Sequence, residues 1–575
     1  IQADGGDVSL DWDCKWYSAV KEHDDHWVAE FAIPFRSIRY QDGVKEWGIN
    51  FSRFSLLQNE KSAWAPVPRQ FKSSTLAFTG TLQWAKPPPE LGTRFSIIPF
   101  LSGQGSEDIE AGDPANSDAA AGLDAKVTLS TSLNLDLTIN PDFSQVEVDR
   151  QRTNLDRFEL FFPEKRQFFL ENSDLFASLG SKNIRPFFSR RIGLASPVIG
   201  GARLSGKLGS NYRLGIMSMQ TDANGETPAS NFTVATLQRK ILTRSSLSVF
   251  LVNKESGLQD NSDGSDNSYN QVSGIDFNLA SVDNLWTGKA FFHQAIYKNA
   301  GDNAFAAATS IKYNTGTVSA HMGYSFVGSD FQADVGFVKR IGFHRFGSDL
   351  EFKFYPEEGN ILNHGPAFKF YNVLDENFNT TDREFELKYM INWLDRSKLS
   401  AELERGFVKL LAPFDPTNTS GDTLAAGSEY NWNELSLDYV SDARKTLNFN
   451  SNIRYGGYYN GNKLSLNGTI NYRVQPYVNL SISTTYDKID LPDPFEDVAF
   501  LLIGPRLDLT FTNKLFFTTF VQYNDQADNV NVNLRFQWRF APVSDLFIVY
   551  TNNSYPDNFR TKNNALVAKI SYWFN

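Results

Sequence analysis

The C-terminal segment constrains the fold of this chain more than any other stretch. From Ala565 to Asn575 the side chains alternate, with Leu566, Ala568, Ile570, Tyr572 and Phe574 set against Val567, Lys569, Ser571 and Trp573. Chain termini usually fray unless something pairs with them. A terminal strand with one apolar face and aromatic residues at its end therefore predicts a sheet that closes on its own first strand, as in a transmembrane β-barrel.

The same period of two recurs along the chain, for example in residues 133–140, 464–473, 478–487 and 531–540. Such alternation places one set of side chains towards lipid and the other towards a water-filled lumen. The charged side chains that we expect to face the lumen are Glu384, Glu386, Lys388, Glu402, Glu404, Arg535 and Arg539. Their mixed charge is ordinary for a polar wall, and a ring that selects ions is the more specific hypothesis.

The composition agrees with strands that cross a membrane. Hydrophobic residues make up 41% of the chain, and the mean hydropathy is −0.36. The sequence contains no apolar run approaching the roughly 18 residues of a membrane helix. Aromatic residues reach 14%, including 48 Phe, which suits girdles at the two membrane interfaces. A net charge of −11 argues against nucleic acid as a partner.

Connections between the predicted strands alternate in length, which separates a barrel from a water-soluble antiparallel sheet. The expected tight turns lie at 130–132, 314–317, 395–398, 441–446, 475–477, 512–514 and 541–545. The expected long loops are 104–122, 143–197, 253–271, 328–345, 411–428, 487–498 and 552–564. Short turns on one side and long loops on the other are a barrel signature. We therefore predict an all-β fold, with a barrel of about 24 strands (22–26) over residues 93–575.

Residues 1–86 form a separate β module in this interpretation, and the Pro-rich stretch 87–92 is the linker. The segments 11–13, 27–35 and 47–51 carry a resemblance to the second half of a carbohydrate-binding family nine-like β-sandwich. That resemblance implies a periplasmic glycan-binding module, with Trp12, Trp16, Trp27 and Trp47 as candidates for stacking on sugar rings. The simpler alternative is that these tryptophans form the core of the small sandwich.

The barrel region resembles an uncharacterised Bacteroidota outer-membrane family that carries such a module in front of the barrel. The residues that support the resemblance are 135–147, 157–166 and 168–171, and it is strongest over 123–220. It implies a location in the outer membrane of a Gram-negative bacterium. The alternation of short turns and long loops then puts both barrel ends on the periplasmic side, so we expect the N-terminal domain in the periplasm. The resemblance implies no established activity.

The long loop 143–197 has the composition of a folded segment, because disordered loops are poor in aromatic residues. A lumen of 24 strands is too wide for wall side chains alone to fill. We therefore expect this loop to fold inwards as a plug or constriction, and the alternative is an extracellular cap or docking surface. The candidate residues are Arg157, Phe158, Glu159, Phe161, Phe162, Glu164, Lys165, Arg166, Phe168, Phe169, Glu171, Arg190 and Arg191.

Signals for catalysis or metal binding are weak. Residues 201–207 match Gly-x4-Gly-Lys, but Leu208 follows where a phosphate loop needs Ser or Thr, so a hairpin is expected. His23 and His26 flank two aspartates on a polar turn, and residues 260–266 lack the spacing of a calcium loop. We predict no catalytic residue, no metal site and no cofactor.

Two functions remain open. The first is a porin-like outer-membrane channel whose lumen is constricted by 143–197, with periplasmic glycan or solute as possible partners. The second is a structural or accessory subunit of a larger outer-membrane assembly, in which the loops and the periplasmic module dock other membrane proteins or lipoproteins. An enzyme is the least favoured class.

Overall fold

The computed structural model describes residues 16–38, 40, 43–55, 60–89, 94–130, 132–141, 151–225, 227–257 and 268–574. Within these ranges, 24 strands form one closed antiparallel barrel, which confirms the predicted fold class and strand number. The helices are short: α1 (Gln167–Leu170), α2 (Asp174–Ala177) and 3-10 turns at Phe35–Ser37, Leu76–Phe78 and Ser189–Arg191. No helix among the described residues has the length and apolar character needed to cross a membrane.

The strands in chain order are β1 (Tyr17–Glu22), β2 (Trp27–Ala32), β3 (Glu46–Ile49), β4 (Ser52–Ser55), β5 (Glu60–Ala63), β6 (Gly80–Gln83), β7 (Arg94–Asp108), β8 (Asp113–Ser130), β9 (Leu133–Ile139), β10 (Ile184–Arg185), β11 (Val198–Leu208), β12 (Tyr212–Thr221), β13 (Ser230–Ile241), β14 (Ser245–Ser256), β15 (Tyr269–Ala280), β16 (Trp286–Tyr297), β17 (Phe305–Asn314), β18 (Val318–Val327), β19 (Phe337–Val338), β20 (Phe343–Phe352), β21 (Ile361–Leu374), β22 (Thr380–Trp393), β23 (Lys398–Lys409), β24 (Glu429–Val440), β25 (Leu447–Tyr458), β26 (Gly461–Val474), β27 (Val478–Asp490), β28 (Val498–Thr512), β29 (Leu515–Asn524), β30 (Asn529–Ala541), β31 (Ser544–Ser554) and β32 (Thr561–Ser571).

The barrel closes by pairing β32 with β7, as the C-terminal alternation predicts. Ala568 lies opposite Gly103 and Ser571 opposite Phe100, and Phe574 forms a further bridge to Ile97. All other barrel strands pair with their sequence neighbours in the ring, except that β10 and β19 lie outside it, so that β9 pairs with β11 and β18 with β20. We call the side with the short turns the turn end and the opposite side the loop end. The start of β7 and the end of β32 both lie at the turn end.

The outer face of the barrel carries the apolar set of the alternation. Ile275, Phe292 and Leu435 are exposed, whereas their sequence neighbours Asp276, His293 and Glu434 are buried on the opposite face. Each Å² of such apolar surface that is kept out of water contributes a free energy of about 25 cal/mol. A continuous apolar outer wall with a polar interior is the arrangement of a membrane-spanning barrel.

Three predicted long loops are wrong. Residues 104–122 are mostly strand, since β7 and β8 leave only 109–112 as a turn. Residues 487–498 and 552–564 shrink to connections of 491–497 and 555–560 in the same way. Residues 104–122 are rich in Gly, Ala, Ser and Asp, residues 487–498 in Asp and Pro, and residues 552–564 in Asn, which is typical of loops. In the structure the backbone of these residues continues the ladder of hydrogen bonds, which depends little on side-chain type.

The N-terminal region has three separate two-stranded sheets, β1–β2, β3–β6 and β4–β5. Trp47 packs at ring-centroid distances of 5.1 Å from Tyr40 and 5.2 Å from Trp84, forming a small aromatic core. The region meets the turn end of the barrel, where the Arg396 guanidinium lies 3.8 Å from the Phe54 ring centroid. Whether it is a glycan-binding sandwich stays a prediction.

Candidate functional site

Residues 151–197, called here the inner segment, fold against the inner face of the barrel wall. Arg203 of β11 and Asp136 of β9 form an ion pair of 2.8 Å, with side-chain exposures of 2% and 4%. Arg203 also donates a hydrogen bond to the backbone carbonyl of Phe168, and Lys126 pairs with Glu171. The wall therefore uses inward-facing charges to hold the segment around α1.

The inner segment reaches almost to the turn end. Asp174 at the start of α2 pairs at 2.7 Å with Arg213, the second residue of β12 after the turn 209–211. The Phe176 ring lies over Gly215, where an added Cβ would come within 2.8 Å of it. Glycine at position 215 thus lets an aromatic side chain of α2 approach the backbone of the wall.

A buried polar cluster fixes the turn after α2. Nε2 of His293 and Oδ1 of Asp276 are 2.7 Å apart, and Asp276 Oδ2 accepts a 2.7 Å hydrogen bond from the Gly180 amide. The Lys289 ammonium lies 3.1 Å from the same oxygen. Gly180 has φ +71°, a conformation that favours glycine. The carboxylate of Asp276 therefore joins two wall strands to the inner segment.

A second insertion, residues 328–342 between β18 and β20, completes the inner structure. Its strand β19 pairs antiparallel with β10, so that Ile184 faces Val338. The Phe337 ring lies 5.3 Å from Phe161 and 5.8 Å from Phe188. The two insertions share one apolar core with wall residues of β12 to β18, including Met217, Met219, Phe232, Val234, Phe250, Val252, Val272 and Phe291.

Glu164 links the part of the inner segment just before α1 to the 3-10 turn Ser189–Arg191. Its carboxylate accepts hydrogen bonds of 2.7 Å from Arg166 Nη2 and 2.6 Å from Ser189 Oγ. Burial favours the neutral carboxyl, but the contacts with Arg166 and Ser189 outweigh burial and lower the pKa of Glu164 below its ordinary value. Arg166 in turn donates to the carbonyls of Ser189 and Ile192, each at 2.6 Å. The charged form of Glu164 is thus part of the folded segment.

The start of the inner segment contacts the opposite wall. The Tyr458 hydroxyl on β25 donates to the Leu155 carbonyl at 3.2 Å, and β25 is twelve strands from β12 in the 24-strand ring. Arg157 pairs with Asp382 of β22, and Arg340 of the second insertion pairs with the same carboxylate. The segment therefore crosses the lumen from β25 at the loop end to β12 near the turn end.

The structure brings most of the sequence-predicted inner residues into this assembly. Phe158 lies near Arg157 and Lys339, Glu159 pairs with Arg191 at 2.7 Å, and Phe162 lies near Arg152 and Arg190. The backbone amide of Lys165 donates to Glu164, and Phe168 packs edge-on against Phe169. Residues 143–150 of the predicted loop lie outside the described residues. Residues 151–197 of the same loop are described without a gap.

The predicted lumen charges share the inner face. Lys369 donates to Glu384 at 3.0 Å and to Glu386, while Lys388 donates to Glu402 at 3.0 Å. Oxygens of Glu384, Glu386 and Glu404 lie within 4.8 Å of one another, a spacing that carboxylates around a cation also show. Arg539 lies 3.2 Å from Asp545, and Arg535 is on the same inner face of β30.

The candidate stacking tryptophans divide between surface and core. Trp16 and Trp27 are exposed, and Trp16 stacks on Phe31 at 5.7 Å. Trp47 belongs to the aromatic core described above, and Trp12 lies outside the described residues. Residues 260–266 also lie outside them, and His23 and His26 are on an exposed turn as expected.

Sequence reasoning missed the partners of the inner segment. These are Asp136, Arg203, Arg213, Asp276, Lys289, His293, Arg340 and Asp382. A charged residue at an inward position of a strand, such as Asp136 between Leu135 and Leu137, was the available signal. It marks the face but gives no information about which distant residue will meet it.

Comparison with known proteins gives a family and a set of barrels. The model of the family described as "Domain of unknown function (DUF5916)" matches residues 91–204 and 216–515. No curated protein matches this chain.

The solved structures to which this chain is similar include two named as transporters and one named as a siderophore receptor. The FrpB iron transporter from Neisseria meningitidis is 10% identical, with 65% of this chain and 79% of that chain covered and a TM-score of 0.39. The siderophore receptor PirA from Acinetobacter baumannii is 9% identical, with 87% and 83% covered and a TM-score of 0.40. The ferric citrate transporter FecA is 11% identical, with 88% and 82% covered and a TM-score of 0.38.

Proposed function

This chain belongs to the family described as domain of unknown function DUF5916, and we propose that it is an outer-membrane channel whose lumen is closed by its own inner segment. The observation that carries the proposal is the wall-to-wall course of residues 151–197, from Asp174 near β12 to Leu155 at β25. A barrel that served only as a membrane anchor would have no need for charged wall side chains that hold a segment across its interior.

The inner segment is a removable closure in this proposal. Its apolar core packs mainly on β12 to β18, whereas the half of the wall around β22 and β23 carries charged inner positions such as Glu384, Lys388 and Glu402. A solute would pass along this polar half once the contacts of Arg157 and Arg340 with Asp382 are released. The lumen charges around Glu384 would then favour cations over anions.

Liposome swelling tests the proposal. Vesicles containing the intact protein should admit small neutral sugars slowly, and vesicles containing protein without residues 150–192 should admit them fast. Protein without residues 1–86 is the control, because it keeps the inner segment. If vesicles with intact protein and vesicles with the 150–192 deletion swell at the same rate, the inner segment does not close the lumen.

A subunit of a larger assembly is the second candidate, and the β1–β2 hairpin favours it. Both of its faces carry exposed apolar side chains, with exposures of 65% for Val20 on one face and 52% for Tyr17 on the other. A two-stranded ribbon is marginally stable alone, and exposed apolar patches mark interaction surfaces. Cross-linking in native membranes tests this candidate: Phe31→Asp should abolish a specific product, while Lys21→Asp on the same hairpin should retain it.

A further inference from the structure

The first part of the inner segment, residues 151–155, is held mainly through its backbone, and we call it the strap. Gln522 of β29 accepts a 2.9 Å hydrogen bond from the Gln151 amide and donates one of 2.9 Å to the Gln151 carbonyl. Gln526, in the turn after β29, accepts from the Asn154 amide at 3.0 Å and donates to the Asn154 carbonyl at 3.2 Å. Each glutamine thus pairs with both backbone groups of one strap residue.

Further groups at the loop end also contact the strap. Asn524 donates to the Gln151 side chain at 3.1 Å, and Asn418 donates to the Asn154 carbonyl at 3.1 Å. Tyr458 donates to the carbonyl of Leu155. Gln522 and Asn524 are each only 4% exposed, so this is a built site and not a chance surface contact.

The chemistry of these contacts is that of peptide-backbone recognition. A carboxamide offers one acceptor and two donors, which match the N–H and C=O of an extended residue. Backbone groups buried away from water need such partners. Contacts made to the backbone are indifferent to side-chain identity, so the same groups would fit an extended chain of many sequences.

We propose that Gln522, Asn524, Gln526, Asn418 and Tyr458 form a binding site for an extended peptide, and that the strap occupies it as an internal substitute. The inference rests on the proposed function, since the strap has to leave before a peptide can enter. The class of ligand is therefore an oligopeptide or an unfolded protein segment, recognised at the loop end of the lumen.

A binding measurement on the purified full-length protein tests this. In one variant the strap is replaced by a Gly-Ser repeat of equal length. The probe is a fluorescent peptide of about ten residues with a sequence unrelated to the strap, of the length that extended-peptide sites accept. The strap variant should bind it roughly tenfold more tightly than the intact protein, as removal of an internal competitor requires.

Two controls identify the site and the chemistry. In the strap variant, the double change Gln522→Glu and Gln526→Glu should reduce binding roughly tenfold, because each carboxylate loses a donor and repels the peptide carbonyl. Gln104→Glu is the matched control, since Gln104 is on the same inner face of the wall through its register with Val567, Val549 and Arg535. A peptide N-methylated at alternate residues should bind weakly, and an oligosaccharide of similar length should not compete.

The outcomes separate this inference from the channel itself. Swelling or conductance that rises in the strap variant without any peptide binding would overturn the peptide site and leave the channel intact. Peptide binding without a rise would support the site and show that the strap alone does not close the lumen. Binding that survives the double glutamine change, or competition by the oligosaccharide, would also overturn the peptide site. Unchanged resistance of the barrel to unfolding in SDS shows that each variant is folded.

Discussion

Charged residues buried in the wall find their partners in the inner segment. Arg203 illustrates this, since it lies between Asp136 on the next strand and the Phe168 carbonyl of the segment. Taking such charges out of water is costly, and only pairing with good geometry offsets the cost. These residues therefore link the stability of the wall to the presence of the folded segment.

Replacing Arg203 by Met should loosen the inner segment. The change leaves Asp136 buried without its counter-charge, and removing one partner of a buried pair costs about 3–5 kcal/mol. We expect faster hydrogen exchange at residues 166–180 and faster tryptic cleavage after Arg166. Arg239→Met, at an exposed position on β13, is the control. If both variants exchange like the wild type, the ion pair does not seat the segment.

The lowered pKa of Glu164 predicts that the inner segment becomes less stable in acid. The pKa of Glu164 is lower in the folded segment than in the unfolded chain, so its contribution to stability is complete above the unfolded pKa of roughly 4.3 and is lost as pH falls through the folded pKa. Hydrogen exchange at residues 160–192 should therefore be slow at pH 7 and near pH 5, and should rise below about pH 4. Glu164→Gln should weaken this pH dependence; an identical acid profile in the variant would assign it to other groups.

The faces of single residues were predictable, and their partners were not. Period-two alternation is a local property, so it gave the inward position of Glu384 and the outward position of Leu534 without any tertiary information. The pairing of Asp276 with His293 joins neighbouring strands, but its contact with Gly180 depends on how a segment 96 residues away folds. The sequence contains no periodic signal for such a contact.

At the level of elements, the inner structure is built from two insertions that meet only in space. β10 belongs to the connection after β9, and β19 to the connection after β18, yet they form one sheet. Phe188 donates its amide to the Val335 carbonyl at 2.6 Å, which extends the contact beyond the two strands. Because each strand has only two residues, neither is recognisable from alternation.

A disulfide tests the pairing of these insertions. Cysteines at Ile184 and Val338, which are directly opposite in the β10–β19 register, should form a cross-link on mild oxidation in a background with Cys14→Ser. A pair at Leu194 and Val338 should not, because Leu194 is exposed and outside the two-stranded sheet. Failure of the first pair, or equal reaction of both, would contradict the shared sheet.

The turns were predicted better than the loops for a physical reason. Tight turns such as 475–477 and 512–514 join strands that are already in register, so Pro, Asn and Lys between two alternating runs suffice to mark them. The hairpin of β7 and β8 was misread because its upper half is rich in small and polar residues. Backbone pairing continued there without the apolar alternation that a lipid-facing strand shows.

For the molecule as a whole, the two sides of the lumen differ. The inner segment packs its apolar core mainly on β12 to β18, whereas β22 and β23 carry charged inner positions such as Glu384 and Glu402. Closure of the ring and the number of strands followed from sequence, since strand parity and the terminal strand fix them. The asymmetry did not, because it depends on which wall the inner segment packs against.

Single-channel conductance in planar bilayers is the most direct test of closure by the inner segment. The intact protein should show small or rare openings, whereas protein lacking residues 150–192 should form a large, steady pore. Protein lacking residues 1–86 should behave like the intact chain. If the 150–192 deletion leaves the conductance unchanged, or if the intact protein is already fully open, the inner segment does not close the lumen.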